Sequence, residues 1–263
     1  MHPAQLYNRE RKIMTEQKTK PALTLDSLAD ICRHMSIALG SEYGYTDGYF
    51  FSEGFPRLGW HNRVILNEMK EYNPQLLDAA IELAHSGHHK FLTFCDELVP
   101  AEAVPYIESR NMKLNMTLSG MLCYPMENDP DFHDDRIIEV FEDRIDEWEE
   151  TLHEAFGSKG GSSSGRPLLK DKTVRIFAVE EEHRIVSTVK LCLDENGVNA
   201  GVHNVGTLPS YRGRGYAEIL VRHTVACARK EGFPMLSLQA TDRGRRVYEK
   251  IGFRKESTIR MYQ

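Results

Sequence analysis

Apolar residues recur along the chain with two spacings, and the points where the spacing changes divide it into elements. Leu28, Ile31, Cys32, Met35 and Leu39 share one face of a helix that ends at Gly40. Asn73-Pro74, followed by Leu77, Ala80, Ile81 and Ala84, predicts a second helix with a side-chain cap, a first-turn proline and a stop at Gly87. Residues 90–95 read as a strand, 101–110 as a short helix, and 112–124 as a hairpin or strand pair. Residues 41–63 are crowded with glycine and aromatics. Residues 49–51 read as a strand; the remainder reads equally as a ligand wall and as an aromatic plug between domains.

After the polar, proline-broken segment around Asp129-Pro130 the pattern resumes with a strand over residues 136–141. Ile145, Trp148, Leu152 and Phe156 mark the apolar side of a helix whose other side carries Asp146, Glu147, Glu149, Glu150 and Glu154, a solvated acidic face. Residues 157–165 are glycine and serine with one lysine, flexible by composition. A hairpin follows over 174–179 and 185–193, then a strand over 199–208 closed by Pro209. Ala217, Leu220, Val221, Val225 and Ala228 give a helix running to Gly232, and residues 235–240 alternate as a strand.

Length changes the picture first: 263 residues suit two domains of about 130 each. The expected division is a flexible arm over 1–20, a first domain over 21–127, a linker over 128–135 and a second domain over 136–263. A net charge of −6 argues against coating nucleic acid and suits a cationic partner. Five scattered cysteines without a C-x-x-C read as reduced core thiols. His85, His88 and His89 have no acidic or cysteine partner at ligand spacing, so no metal is expected. No run of 18 apolar residues and no signal-peptide core occurs, which points to a cytoplasmic protein with no membrane contact.

The chemistry is concentrated in Tyr211-Arg212-Gly213-Arg214-Gly215-Tyr216-Ala217, between the 199–208 strand and the helix after it. Glycines at a strand-to-helix turn let successive amide groups converge on a phosphate, and the helix dipole adds positive potential there. Arg212 and Arg214 add mobile positive charge. No Lys-Ser or Lys-Thr follows the glycines, so the turn is not a P-loop; Glu218 stands where a dinucleotide fingerprint needs a third glycine.

Arg212, Gly215 and Ala217 match R-x-x-G-x-A, and Tyr248-Glu249-Lys250-Ile251-Gly252-Phe253 resembles the Y-E-K-x-G-F end of the GNAT superfamily of acyl-CoA-dependent N-acetyltransferases. The resemblance implies an α/β GNAT fold with a mixed, mostly antiparallel sheet flanked by helices. It implies two parallel strands that splay apart, with acetyl-CoA as co-substrate in the gap. It sets Val205, Gly206 and Thr207 along the pantetheine arm, and Gly213, Arg214, Gly215, Tyr216 and Ala217 at the pyrophosphate. Tyr248 is the implied acid for the leaving thiolate. For the base, His203 lies four residues before Thr207, so period two sets both on one face. The glycine-serine segment resembles the loop gating the acceptor site in this superfamily, and some helix carboxylates are implied to meet a cationic amine. One departure is Thr241, where the family commonly has asparagine.

A faint repeat aligns Ile107-Glu108-Ser109-Arg110-Asn111-Met112-Lys113 with Tyr248-Glu249-Lys250-Ile251-Gly252-Phe253-Arg254. Asn111 tolerates a left-handed cap, but Ile107 replaces the tyrosine, and the first half has no R-x-x-G-x-[GA]. The first domain is therefore expected to be a degenerate GNAT-like half, as in tandem GNAT proteins. The expected function is transfer of an acetyl group to a primary amine of a small molecule or peptide, with oligomeric state open. The alternatives are a non-catalytic acyl-CoA sensor and, disfavoured by charge, an RNA-associated factor reading the Arg-Gly repeat as a basic patch.

Overall fold

The structure is a computed structural model that describes residues 18–53, 60–86, 90–126, 131–158 and 165–263. In chain order the first part comprises α1 (Lys20–Leu39), β1 (Tyr43–Tyr45), β2 (Tyr49–Ser52), β3 (Arg63–Leu66), α2 (Pro74–His85), β4 (Phe91–Cys95), α3 (Ala103–Ser109) and β5 (Leu114–Cys123). The second comprises β6 (Ile137–Glu139), α4 (Ile145–Phe156), β7 (Val174–Glu181), β8 (Arg184–Leu193), β9 (Asn199–Thr207), α5 (Tyr216–Lys230), β10 (Met235–Ala240), α6 (Asp242–Ile251) and β11 (Arg254–Tyr262).

Local signals set the helix ends. Gly40 takes a left-handed φ of 65° after α1, and Asn73 accepts a bond from the Leu76 amide at the start of α2. At the end of α6, Gly252 has φ 115° and the Phe253 amide donates to the Tyr248 carbonyl. Asn111 adopts φ 64° after α3, with Met112 buried behind it as Phe253 is behind Gly252.

All the strands join one sheet in the order β1-β2-β3-β4-β11-β5-β10-β9-β8-β7-β6. Two pairs are parallel, β3 with β4 and β9 with β10; the other pairs are antiparallel. Each parallel pair is joined by a helix and followed by a short helix and a last strand. The order β3-α2-β4-α3-β5 is thus repeated as β9-α5-β10-α6-β11. The last strands are exchanged. β11 lies between β4 and β5, with Ile259 opposite both Cys95 and Leu118, while β5 separates β11 from β10.

Adjacent strand residues divide between the two faces of the sheet. On one face, Leu28, Ile31 and Met35 of α1 and Trp148 and Leu152 of α4 pack with Ile176, Ala178, Ile259 and Met261. On the other, Leu220 and Val221 of α5 and Tyr248 of α6 pack with Phe177, Val189, Leu236 and Leu238. There too Leu77 and Ile81 of α2 and Ile107 of α3 cover Val64, Leu92, Phe94 and Tyr262.

α1 is also stitched to the sheet by polar groups. Thr24 Oγ1 lies 2.7 Å from Ser257 Oγ, Gln239 Nε2 donates to the Thr24 carbonyl at 2.7 Å, and Asn199 Nδ2 donates to the Leu23 carbonyl at 3.2 Å. The crossing is close because Gly120 lies under it: a Cβ there would come within 2.1 Å of Ser257 Oγ and 2.5 Å of Thr24 Oγ1. Gly120→Ala is therefore expected to destabilise the fold by about 1–3 kcal/mol, the usual cost of overpacking, as read from urea denaturation. An unchanged midpoint would show that the helix lifts without cost.

Several expectations change. Residues 112–124 form no hairpin: β5 is one strand of ten residues, buried over its last six because it is central in the sheet. Arg63–Leu66, to which the sequence pattern assigned no element, is a fully buried strand. Phe156 does not join the apolar side of α4 but is 61% exposed. Of the expected arm (1–20), Lys20 opens α1, while residues 1–17, the aromatic segment 54–59, Gly87, His88 and His89, linker residues 128–130 and most of the glycine-serine segment (159–164) lie outside the described residues. Among the described residues, no helix is long and apolar enough to cross a membrane.

Candidate active site

β9 ends at Thr207 and leads through a single 3-10 turn (Pro209–Tyr211) into the glycine turn before α5. Gly213 and Gly215 hold φ of 80° and 84°, conformations that favour glycine, and an added Cβ at either would meet open space. Gly215 caps α5 without a side-chain bond. The amides of Gly213, Arg214, Gly215, Tyr216 and Ala217 find no acceptor among the described residues; the next bonded amide is that of Ile219, to the Gly215 carbonyl. Consecutive donors left open at a helix amino terminus form an anion seat.

The two arginines are not the mobile charges expected. Arg212 Nη2 donates to the Ala155 carbonyl at 2.7 Å and Nε to the Thr207 carbonyl at 3.1 Å, tying the turn to the ends of α4 and β9. The Arg214 guanidinium lies over the Tyr211 ring, 4.9 Å from its centroid. Tyr216 is buried and its hydroxyl donates to Glu181, so its side chain is structural.

Beside the turn the sheet opens. β9 and β10 pair only at Asn199–Gly201 against Met235–Ser237. Farther on, β10 keeps its partner β5 as far as Ala240, and β9 keeps β8 as far as Thr207. The edges of Val205, Gly206 and Thr207 therefore border a gap. A bulge shapes this border: Asn204 has φ 55°, and three steps of β9 from His203 to Gly206 span two of β8 from Lys190 to Thr188. The extra residue inverts the alternation. His203 shares a face with Gly206, not with Thr207 as period two implied.

Tyr248 lies in α6, 9% exposed, in the same packed cluster as Val205, Leu238 and Ala240 at the gap. Burial alone raises its pKa, so the phenol keeps its proton at neutral pH. The Tyr248 ring meets Phe253 edge-on with centroids 6.2 Å apart. Thr241, at the family's asparagine position, caps α6 by accepting from the Gly244 amide at 3.3 Å.

His203 is 8% exposed, and burial, then the nearby Lys190, His34 and Arg63, hold its pKa near 3. Such an imidazole is neutral at physiological pH. Four of the five α4 carboxylates are also engaged. Asp146 pairs with Arg166 at 2.6 Å and Glu147 with Arg144 at 2.8 Å. Glu154 meets Arg184 at 3.4 Å, and Glu149 accepts from the Gly165 and Arg166 amides at 2.9 Å. Their positions favour a braced helix over an amine trap.

Sequence reasoning passed over His61, Arg63 and Lys190, all buried. The signal was present: a charge interrupts the apolar strand run at Lys190, and another opens Arg63-Val64-Ile65-Leu66.

Residues 135–253 match the acetyltransferase (GNAT) family. Among curated proteins, none matches the sequence. Similar solved structures include a GCN5-related N-acetyltransferase from Kribbella flavida, 16% identical, covering 89% of this chain and 94% of its own, with a TM-score of 0.63. A putative GNAT-family acetyltransferase from Novosphingobium aromaticivorans is 17% identical, covering 87% and 95%, with a TM-score of 0.56. A functionally unknown conserved protein from Staphylococcus epidermidis is 13% identical, covering 85% and 94%, with a TM-score of 0.57. At these identities the likeness is one of fold, and it extends over both halves. The chain thus carries, at residues 135–253, a domain of the acetyltransferase (GNAT) family.

Proposed function

We propose that the protein is an N-acetyltransferase that moves the acetyl group of acetyl-CoA to a primary amine of a small molecule or peptide. The observation that carries this reading is the run of open amide donors from Gly213 to Ala217 beside the β9–β10 gap. Acetyl-CoA supplies a thioester carbonyl and a thiolate leaving group. The glycine-turn amides bind its diphosphate, and the positive end of α5 favours that charge. The free edges of Val205, Gly206 and Thr207 align the arm. Tyr248 Oη holds a proton for the departing sulfur; burial keeps it from ionising. With His203 neutral, water relays the proton lost by the amine.

The same reading assigns residues 21–127 to a degenerate GNAT-like half without cofactor chemistry. At the corresponding place, between β3 and α2, residues 67–73 contain no glycine and include Glu68 and Glu71. Pro74 has no N–H to offer, and the Leu76 amide is already bonded to Asn73 Oδ1. Calorimetry with acetyl-CoA is therefore expected to return one site per chain; two equivalent sites would contradict the assignment. Thiol release over an amine panel tests the function, since a non-catalytic acyl-CoA sensor would bind without releasing thiol.

A further inference from the structure

Phe156, the last residue of α4, is an exposed aromatic held in a fixed place. The backbone is pinned on both sides of it. The Ala155 carbonyl accepts from Arg212 Nη2 at 2.7 Å. Gly157 ends the helix at φ 67°, and the Ser158 amide donates to the His153 carbonyl at 3.0 Å. Arg212 belongs to the glycine turn, so the arginine that braces the anion seat also sets where this ring stands.

The ring stands on the border of the gap. A Cβ on Gly206 would come within 3.0 Å of Phe156 Cε2 and within 3.0 Å of Ala155 Cβ. The absent side chain is what lets the ring approach β9 so closely. Neighbouring strand residues face opposite ways. Val205 packs with Tyr248 on the α5–α6 face, and Gly206 looks toward α4. Phe156 and Tyr248 thus flank the same stretch of β9 from opposite sides of the sheet. His203 shares the face of Gly206 but leans back along the strand, with Nε2 2.4 Å from where a Cβ on Gly201 would be. The imidazole therefore leaves Gly206 to the phenyl ring, and most of that ring stays exposed.

Tyr248 serves the departing sulfur from one face, so the amine approaches from the other, past Phe156. An open phenyl surface there gains from being covered by apolar or aromatic atoms. A second ammonium would fare worse. Asp146, Glu147 and Glu154 of α4 are paired with arginines, and Glu149 accepts from two backbone amides. We propose that Phe156 is a specificity-determining residue that packs on the body of the acceptor, so that the preferred substrates are monoamines carrying an aromatic or alkyl group rather than polyamines. This assignment rests on the acetyltransferase reading. In the transfer the amine nitrogen bonds to the thioester carbon as the C–S bond breaks. The nitrogen loses its proton to water, and the thiolate takes one from Tyr248, which water then restores.

The test uses the full chain. With saturating acetyl-CoA, thiol release is followed for 2-phenylethylamine, hexylamine, ethanolamine and 1,4-diaminobutane, each rate corrected for the fraction of free amine. The first two are expected to exceed the last two in kcat/KM by at least about tenfold. Phe156→Ser should bring the ratios near one, and Phe156→Leu should keep most of the preference for hexylamine. Melting temperature and calorimetric affinity for acetyl-CoA should stay at the parent's values in both variants. If the serine variant fails to fold, the leucine variant decides, by losing the excess of 2-phenylethylamine over hexylamine. Equal ratios in the parent, a preference for the diamine, or a preference surviving in Phe156→Ser would overturn the proposal. So would loss of acetyl-CoA affinity in that variant, which would give the ring to the coenzyme. Absence of thiol release with every amine would overturn the transferase reading instead. Calorimetry of 2-phenylethylamine with the CoA-loaded protein then decides: binding lost in Phe156→Ser sustains the site, and no binding overturns it.

Discussion

Tyr248→Phe is expected to lower turnover roughly 10²-fold while acetyl-CoA affinity and melting temperature change little. The ring is what packs: it meets Phe253 and the Val205–Leu238–Ala240 cluster, and Phe keeps those contacts. The hydroxyl is the part removed. Burial raises its pKa, so over the whole working range it is a donor and never a phenolate. A coenzyme thiolate is a fairly good leaving group, so the loss lies at the lower end for a positioned acid. Steady-state rates of thiol release, with single-turnover rates to isolate chemistry, give the answer. Turnover within about twofold of the parent, with chemistry limiting, would make Tyr248 a packing residue and leave water or the substrate ammonium as the acid.

Gly215→Glu is expected to abolish acetyl-CoA binding. The parent should gain about 2.7 kcal/mol of stability at one hundred times Kd, and the variant none. Two causes act together. Gly215 holds φ 84°, which a side chain resists, and the new carboxylate would stand among the donors meant for a diphosphate. Gly215→Ala separates them, since it keeps the strain without the charge and should retain part of the shift. A full thermal shift in Gly215→Glu would place the coenzyme elsewhere.

The parts of this fold that were legible are those a few neighbouring residues determine. Gly213, Gly215, Gly232 and Gly252 all take the left-handed conformations their positions implied, and so does Asn111. The strand, turn and helix around them are where the spacing put them. What was hidden depends on partners far away in sequence. Nothing in residues 112–124 reports that β5 will have β10 on one side and β11 on the other, so a long central strand was taken for a hairpin. The bulge at Asn204 inverts an alternation that looked regular, and that single residue moves His203 off the face of Thr207. Arg212 matched a phosphate motif, yet its guanidinium holds the Ala155 and Thr207 carbonyls; the motif was readable, the use of its side chain was not. Arg63 and Lys190 were passed over because their burial is a tertiary fact.

The exchange of last strands also orders events during translation. β4 and β5 leave the ribosome with facing edges that neither can satisfy, and the piece that fits between them is β11, the nine residues Arg254–Tyr262. Residues 124–253 must be made first, which at ordinary elongation rates takes roughly ten seconds. Through that interval one edge of β4 and one of β5 lack their final partner, and until β10 is made the other edge of β5 does too; such open edges are a template for pairing with other chains. Loss of residues 254–262 would thus withhold the strand that closes the sheet.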